Sequence, residues 1–354
     1  MIPDFLYKYI YHILIAILTI FAVRNRRNIF ESEPILGSLL LCFFMILFIG
    51  FRPHTAVFVD TKNYADWWGL QYWTGFDTEV ENLLFDNLYI WMSNIFPDPT
   101  IFFLLVATLY FSCLLIACRK LFEANTFISF LVCLVAFSTF SYGTNGIKAG
   151  LAASLFVVAL AFRDKIIISV VFLLLSWGCH HSMILPVVAY IITMIFKDSR
   201  WYFYGWLFCL LMAAAHVTFF QNLFAGMSDD SGNAYLTSSN SDWGGKSGFR
   251  IDFVLYSAMP VLMGYFVIFK YQLRDALYEN ILHYYLITNS IWMLCMYGSF
   301  TNRIAYLSWF TYPFLIIYPC FAIPSESHPL VENRQKFIYA HLSFSLLMWL
   351  IIYK

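Results

Sequence analysis

The residues with the clearest chemical potential are four cations at the ends of apolar segments: Arg52, Lys148, Arg250 and Arg303. A charged side chain near hydrocarbon is costly, so such residues normally face water or a partner. An ion pair with a nearby acid, Asp60 or Asp252, explains any single cation as well as a ligand does. These acids are too few for all four cations. The set therefore predicts an anion site, since arginine grips phosphate oxygens through paired hydrogen bonds.

A histidine pair, His180 and His181, opens the apolar run that follows residue 182. Two histidines can ligate a metal ion, but no cysteine, histidine or carboxylate stands nearby at zinc-like spacing. A neutral imidazole can instead take a proton from a substrate hydroxyl at ordinary pH. The pattern favours a general base over a metal site, with His54 and Asp60 as rival candidates.

These side chains need elements that hold them at one face of a membrane. Lys148 ends the stretch Tyr142-Gly-Thr-Asn-Gly-Ile-Lys148, which lies between two apolar runs, Thr126–Phe140 and Leu151–Phe162. A lysine at such a junction ordinarily marks the cytoplasmic side, where basic residues fix the orientation of a membrane protein. Counting apolar segments from either end of the chain puts this junction on the opposite side. That position indicates a role beyond topology.

The composition is that of a polytopic, all-α membrane protein. Of the 354 residues, 61% are hydrophobic and 12% charged, and apolar windows of spanning length recur throughout. The net charge of zero argues against a nucleic-acid partner. The eight cysteines show no paired spacing and are expected to be packing residues. The first apolar run, Phe5–Val23, has no cleavage-like end and is expected to stay in the protein as a helix.

Basic clusters at every second boundary of the apolar runs give the orientation. They are Arg24/Arg26/Arg27, Arg119/Lys120, Arg163/Lys165, Lys197/Arg200, Lys270/Arg274 and Arg334/Lys336, and they hold 13 of the 21 Lys and Arg residues. These boundaries are therefore expected in the cytoplasm. The pattern predicts one integral membrane domain over residues 1–354, with about twelve spans and both termini outside. The short pair Ile166–Trp177 and Met183–Phe196 is expected to tilt or to dip back without crossing.

Two larger extracytoplasmic loops are predicted, at about residues 51–100 and 221–248. The first combines acids with Trp67, Trp68, Trp73 and Trp91, and its segment Asn82–Phe96 has apolar residues at helical spacing. Acids with exposed tryptophans are common where carbohydrate is handled, but tryptophan also marks any membrane interface, so both interpretations stay open. The second loop is rich in Ser, Asn, Gly and Asp, and is expected to be mobile.

Several motifs in order resemble those of the EpsG family of exopolysaccharide and O-antigen polymerases, the Wzy-like enzymes. They are Phe51-Arg-Pro-His with Asp60-Thr-Lys-Asn-Tyr64, Thr144-Asn-Gly-Ile-Lys148-Ala-Gly-Leu-Ala, His181-Ser-Met-Ile-Leu-Pro and Asn302-Arg303-Ile-Ala-Tyr306. The similarity runs from about Leu36 to Tyr318. The family pattern usually has Arg-Gln where this chain has Lys148-Ala149, which keeps the charge but not the guanidinium fork or the amide.

The resemblance implies a GT-C-like, metal-independent glycosyltransferase in the bacterial cytoplasmic (inner) membrane, with its active site facing the periplasm or exterior. It would need no cofactor and would elongate a glycan carried on undecaprenyl pyrophosphate, with a chain-length regulator protein as a further partner. The motifs, taken together with the histidine pair and the four cations described above, assign His181, His180 and Asp60 to catalysis. They assign Tyr64 and Asn145, with the four cations, to substrate binding.

Three other functions remain open from the sequence. An O-antigen-ligase-like transferase would use the same cations and base with a different acceptor. A flippase or transporter for lipid-linked oligosaccharide would need cations distributed at membrane depth, and the chain shows no internal repeat of the kind that many transporters carry. A membrane O-acyltransferase would also place a histidine near the bilayer, but has no need of several outer arginines.

Overall fold

The computed structural model describes residues 2–25, 35–226, 236, 248–299, 301–322 and 327–352. All regular elements in these ranges are helices. The helices of the first half are α1 (Tyr7–Asn25), α2 (Ile35–Gly50), α3 (Val59–Asp66), α4 (Leu83–Ile95), α5 (Thr100–Phe122), α6 (Thr126–Val135), α7 (Phe137–Thr144), α8 (Ile147–Ala161) and α9 (Ile166–Cys179). Those of the second half are α10 (Ile184–Ile195), α11 (Ser199–Ala214), α12 (Phe219–Gly226), α13 (Ile251–Tyr265), α14 (Ala276–Leu294), α15 (Asn302–Trp309), α16 (Tyr312–Ala322), α17 (Pro329–Glu332) and α18 (Arg334–Ile352).

The helices present apolar side chains outward, as a membrane requires. Among the described residues, four stretches are long and apolar enough to cross a bilayer: Asp4–Asn25, Thr100–Val135, Ile251–Lys270 and Asn302–Ala322. Shorter apolar helices accompany them, including α2, α8 and α9. Large apolar residues are exposed along several of these helices, for example Ile17 and Phe21, Ile167 and Leu174, and Leu207 and Leu211. Such surfaces belong in lipid, and the chain is a multi-pass membrane protein.

The predicted segments coincide with helices. The twelve apolar spans predicted from the sequence centre on Leu14, Phe43, Thr108, Leu134, Phe156, Phe172, Val188, Leu210, Leu262, Thr288, Phe314 and Leu346, and each of these residues lies within a helix. Whether each of these helices crosses the bilayer stays a prediction. All eight cysteines are without a disulfide and seven of them are buried, which agrees with a packing role.

The chain divides into two compact units, one formed by Met1–Ile184 with Ile317–Lys354 and the other by Leu185–Ile316. In the first unit, the predicted apolar run Thr126–Phe140 is two helices, because Ala136 adopts an extended backbone with ψ 134° between α6 and α7. Carbonyls exposed by the break accept hydrogen bonds from side chains. Thr139 Oγ1 donates to Cys133 O at 2.6 Å, and Tyr11 Oη donates to Leu134 O at 2.8 Å. A broken helix is tolerated in a membrane protein only with such compensation.

The two ends of helix α8 define the two ends of this first unit. At the C-terminal ends of α5 and α8, Lys120 Nζ lies 3.0 Å from Asp164 Oδ2, so two of the predicted cytoplasmic clusters lie at the same end. Helix α8 has fifteen residues, which puts its first residue, Ile147, about 22 Å away. Lys148 and the other candidate residues of this unit gather at that far end.

The predicted loop 51–100 is folded rather than extended. Its segment Asn82–Phe96 was predicted to be helical and forms α4, whose residues Phe85, Tyr89 and Met92 are buried. Helix α3 was not predicted. In the second predicted loop, helix α12 extends to Gly226, while residues 227–235 and 237–247 lie outside the described part of the chain.

The second unit is organised around a buried amide. Asn289 Oδ1 accepts a hydrogen bond from Trp206 Nε1 at 2.8 Å, and its Nδ2 donates to Ser257 Oγ at 2.9 Å and Ser308 Oγ at 3.1 Å. Asn289 lies on α14, and its partners Trp206, Ser257 and Ser308 lie on α11, α13 and α15. The shared hydrogen bonds fix the packing of these helices and hence the start of α15, where Arg303 lies.

Candidate functional site

Asn82 is the hub of a polar network at the end of the first unit where α8 begins. Its side chain is 1% exposed. Its Nδ2 donates to Asp86 Oδ2 at 3.1 Å and to Glu81 Oε2 at 3.3 Å, while its Oδ1 accepts from the backbone N–H of His181 at 2.9 Å. Carboxylates only accept and the peptide N–H only donates, so these partners fix the orientation of the amide. Asn82 thereby joins the start of α4 to the turn that follows α9.

His181 is paired with an acid. Its Nδ1 lies 3.2 Å from Glu81 Oε1 and 3.3 Å from Asn82 Oδ1. Both neighbours accept hydrogen bonds, so in the neutral ring Nδ1 carries the proton and Nε2 keeps the lone pair. A carboxylate at Nδ1 also stabilises the imidazolium that forms when Nε2 takes a proton, the arrangement that serine hydrolases use. The arrangement suits general-base chemistry.

Lys148 is balanced by an acid from the predicted outer loop. Its Nζ lies 3.3 Å from Asp86 Oδ1, and the two side chains are partly buried. Lys148 is the second residue of α8, where the positive end of the helix dipole disfavours a cation, so a nearby carboxylate is needed. Since Asp86 also accepts from Asn82, the lysine belongs to the same network as His181.

Arg52 follows α2 and is 2% exposed. Its Nη1 donates to Ile49 O and its Nε donates to Thr61 Oγ1, each at 2.8 Å, and Thr61 Oγ1 in turn donates to Thr144 O at 2.7 Å. Its Nη2 has no hydrogen-bond partner among the described residues. Burial lowers the pKa of Arg52 to about 9, with Asp60 acting in the opposite direction, so the guanidinium stays charged at neutral pH. Arg52 therefore ties α2 and α3 to the turn that precedes Lys148.

Two glycines allow the close packing that this arrangement needs. A Cβ at Gly150 would lie 2.6 Å from the carbonyl oxygen of Tyr142, so α8 can return this close to α7 only with glycine there. A Cβ at Gly178 would lie 2.6 Å from Leu84 Cγ, where α9 packs against α4. These contacts hold Lys148 and His181 near the start of α4.

A pocket of about 350 Å³ lies beside this network, between α3 and α4. Tyr64, Trp67 and Tyr89 supply aromatic faces, and Glu81 and Asp86 of the network also line it. Tyr89 Oη donates to the carbonyl oxygen of Tyr64 at 2.7 Å, and the Tyr64 ring packs on Phe85, Tyr89 and Phe102. Tyr64, predicted to bind substrate, therefore lies on the pocket wall.

The remaining predicted residues of the first unit have varied surroundings. His180 Nδ1 accepts from Ser182 N at 3.2 Å, and it caps the short 3-10 turn His181–Met183. Asn145 directly follows α7, and its buried Oδ1 has no hydrogen-bond partner within the described residues. Asp60 lies in the first turn of α3 and acts electrostatically on Arg52. Burial and the charge of Arg52 lower the pKa of His54, which keeps that rival base neutral.

The other two cations belong to the second unit. Arg250 Nε and Nη2 donate to Asp252 Oδ1 and Oδ2 at 2.9 and 2.7 Å, and its guanidinium lies 3.6 Å from the centre of the Phe253 ring. Arg303 is exposed and is the second residue of α15. That Arg52, Lys148, Arg250 and Arg303 line one cavity stays a prediction.

Sequence reasoning missed Asn82, Glu81 and Asp86 as site residues. The available signal was an acidic segment leading into a helical pattern, but Lys148 and His181, with which these residues interact, lie 62 to 100 positions away in the chain. Among the described residues, no three His, Cys, Asp or Glu side chains are grouped closely enough to hold a metal ion.

Comparison with known proteins gives one match. The EpsG family model matches residues 36–354, which is most of the chain and includes every residue of the network. Searches of curated proteins and of solved structures returned no match. The chain belongs to the EpsG family, which is associated with exopolysaccharide biosynthesis.

Proposed function

We propose that this protein is a membrane glycosyltransferase that polymerises lipid-linked repeat units into exopolysaccharide or O-antigen. The observation that carries the proposal is the network in which Asn82 joins the His181–Glu81 pair to the Lys148–Asp86 pair. A candidate base and a candidate anion ligand are thereby fixed at one end of a helical unit. Transfer of a sugar from a pyrophosphate carrier requires both.

The reaction is a substitution at the anomeric carbon of the growing chain. A hydroxyl of the non-reducing-end sugar of a new lipid-linked unit forms a bond to that carbon. The bond from the anomeric carbon to the pyrophosphate oxygen breaks, and undecaprenyl pyrophosphate leaves with the bonding electrons. The hydroxyl proton passes to the enzyme base. Each cycle lengthens the glycan by one unit and releases one carrier.

His181 is proposed as the base because its Nε2 keeps the lone pair while Glu81 and Asn82 accept at Nδ1. General-base catalysis of this kind contributes about 10²–10⁴-fold. His180, which caps the following turn, supports the position of His181. Asp60 remains a candidate for the same role.

The cations are proposed to neutralise the departing pyrophosphate. Lys148 and Arg250 already face Asp86 and Asp252, so a bound phosphate would share each of them with a carboxylate. Arg52 Nη2 has no hydrogen-bond partner in the described part of the chain, and Arg303 lies at the start of an eight-residue helix whose dipole favours an anion. Fixed cations of this kind stabilise developing charge without a metal ion. We therefore propose a metal-independent reaction.

The proposed setting is the bacterial cytoplasmic membrane, in a GT-C-like bundle of about twelve spans with the network facing outward. Two features support this orientation. The basic clusters 119–120 and 163–165 meet at one end of the first unit, and the network lies at the other end. A chain-length regulator protein is a proposed partner at the outer face.

The glycan of a deletion strain tests the function. We expect single repeat units on the cell surface where the parent strain carries long chains, with restoration by the wild-type gene. A ligase would instead leave polymer on its lipid carrier. A flippase would leave single units in the inner leaflet, and either result would overturn the polymerase proposal.

A further inference from the structure

The pocket between α3 and α4 has the lining of a carbohydrate subsite. Trp67, which directly follows α3, is 62% exposed and lines the pocket. Asn63 and Gln71, two residues with amide side chains, line the same pocket. Sugar rings combine an apolar face with a rim of hydroxyls, so they pack on aromatic rings and exchange hydrogen bonds with amides and carboxylates. The pocket volume of about 350 Å³ is the size of a small-ligand site.

The aromatic wall is held in place before any ligand arrives. Tyr64 and Tyr89 pack against each other and against Phe102, with ring centres 5.4 to 6.4 Å apart. Trp68 Nε1 donates to the carbonyl oxygen of Phe96 at 2.9 Å, which fixes the chain next to Trp67. A prearranged wall of this kind reduces the entropy cost of binding. An interfacial tryptophan that only anchors the membrane needs no such wall and no amides beside it.

The charge of the pocket selects among sugars. Glu81 and Asp86 line it, and no basic side chain does so among the described residues. A sugar carboxylate placed there would meet like charges, whereas hydroxyl and acetamido groups would meet hydrogen-bond acceptors. The pocket therefore suits a neutral hexose or N-acetylhexosamine and rejects a uronic acid.

We propose that this pocket binds a neutral sugar of the acceptor unit and presents its hydroxyl to His181. Glu81 makes the connection, because it lines the pocket and also pairs with the ring of His181. The inference rests on the proposed function only in the role of the bound sugar as the acceptor. Binding of the sugar itself requires neither polymerisation nor the lipid carrier.

Saturation-transfer NMR on the full-length protein in nanodiscs tests the pocket. The probes are the methyl glycosides of glucose, galactose, N-acetylglucosamine and glucuronic acid. We expect a signal from at least one neutral glycoside and none from the glucuronide. Trp67→Ala should weaken the neutral signal about tenfold, the scale of one lost aromatic contact. Trp91→Ala is the matched control, since Trp91 is also exposed but lies on α4 outside the pocket lining and should bind normally.

Two further variants sharpen the result. Gln71→Ala, at an exposed position of the lining, should also weaken the neutral signal. Glu81→Gln removes one negative charge and should allow the glucuronide to bind. The proposal is overturned if no neutral glycoside binds, if the glucuronide binds the wild type equally well, or if Trp67→Ala and Trp91→Ala behave alike. Polymer length, measured separately in cells, reports on the proposed function, so the two proposals can fail independently.

Discussion

Asn82→Ala is the most informative single change, because this buried amide connects the two halves of the network. Truncation removes its hydrogen bonds to Asp86 and Glu81 and those to the backbone N–H and ring Nδ1 of His181. At roughly 0.5–1.5 kcal/mol for each of the four bonds, the variant loses about 2–6 kcal/mol of local stabilisation. The turn that carries His181 is then released, and a displacement of about 1 Å at a reacting group can reduce a rate about 10²-fold. We expect a loss of polymer of that order.

Asn87→Ala is the matched control for this prediction. Asn87, on α4, is likewise buried and makes three side-chain hydrogen bonds, two with Asp77 and one with Leu83, but none reaches His181 or Lys148. Its thermal stability in detergent should therefore fall about as much as that of Asn82→Ala, while polymer is retained. Chain length on gels, at matched protein levels, provides the readout. Equal polymer from both variants, or equal loss from both, would refute the reasoning that Asn82 acts through His181.

Three further predictions follow from individual contacts. Gly150→Ala should prevent accumulation of folded protein in membranes, because the added Cβ would collide with the carbonyl oxygen of Tyr142. Gly205→Ala is the control and should accumulate normally, because the space around its Cβ is open. If the guanidinium of Arg303 binds two phosphate oxygens, Arg303→Lys should lose polymer nearly as completely as Arg303→Ala. Lys148→Arg should retain polymer. A fully active Arg303→Lys protein would contradict the bidentate role of Arg303. Polymerisation by isolated membranes should continue in excess EDTA, and a loss of product that added Mg²⁺ restores would contradict the metal-independent reaction.

The sequence predicts helices here better than it predicts contacts. Every predicted span centre lies within a helix. Apolar runs longer than ten residues predict these helices well because burial in lipid requires apolar side chains throughout. The break at Ala136 was not predicted, since alanine favours helices and the compensating hydroxyl of Tyr11 lies far away in the chain. The acids that pair with Lys148 and His181 were likewise hidden, because local spacing carries no information on which loop folds over which helix end.

Arg250 and Arg52 show which contacts can be predicted from the sequence and which cannot. Asp252, two residues away, was the nearest candidate partner in the sequence, and the structure pairs the two residues through both carboxylate oxygens. A partner this close in the chain can be predicted from spacing alone. For Arg52 the nearby acid Asp60 was the candidate, yet the hydrogen bonds of Arg52 go to Thr61 and to a backbone carbonyl. Such choices depend on how α3 is placed, which the sequence pattern did not reveal.

The most direct test of the central claim uses purified protein in liposomes with the isolated undecaprenyl-pyrophosphate-linked repeat unit. Wild-type protein should lengthen the glycan and release one undecaprenyl pyrophosphate for each bond formed. His181→Ala should still be folded, and it should be at least about 10²-fold slower. Failure of the wild-type protein to lengthen the glycan, or a wild-type rate from His181→Ala, would contradict the account.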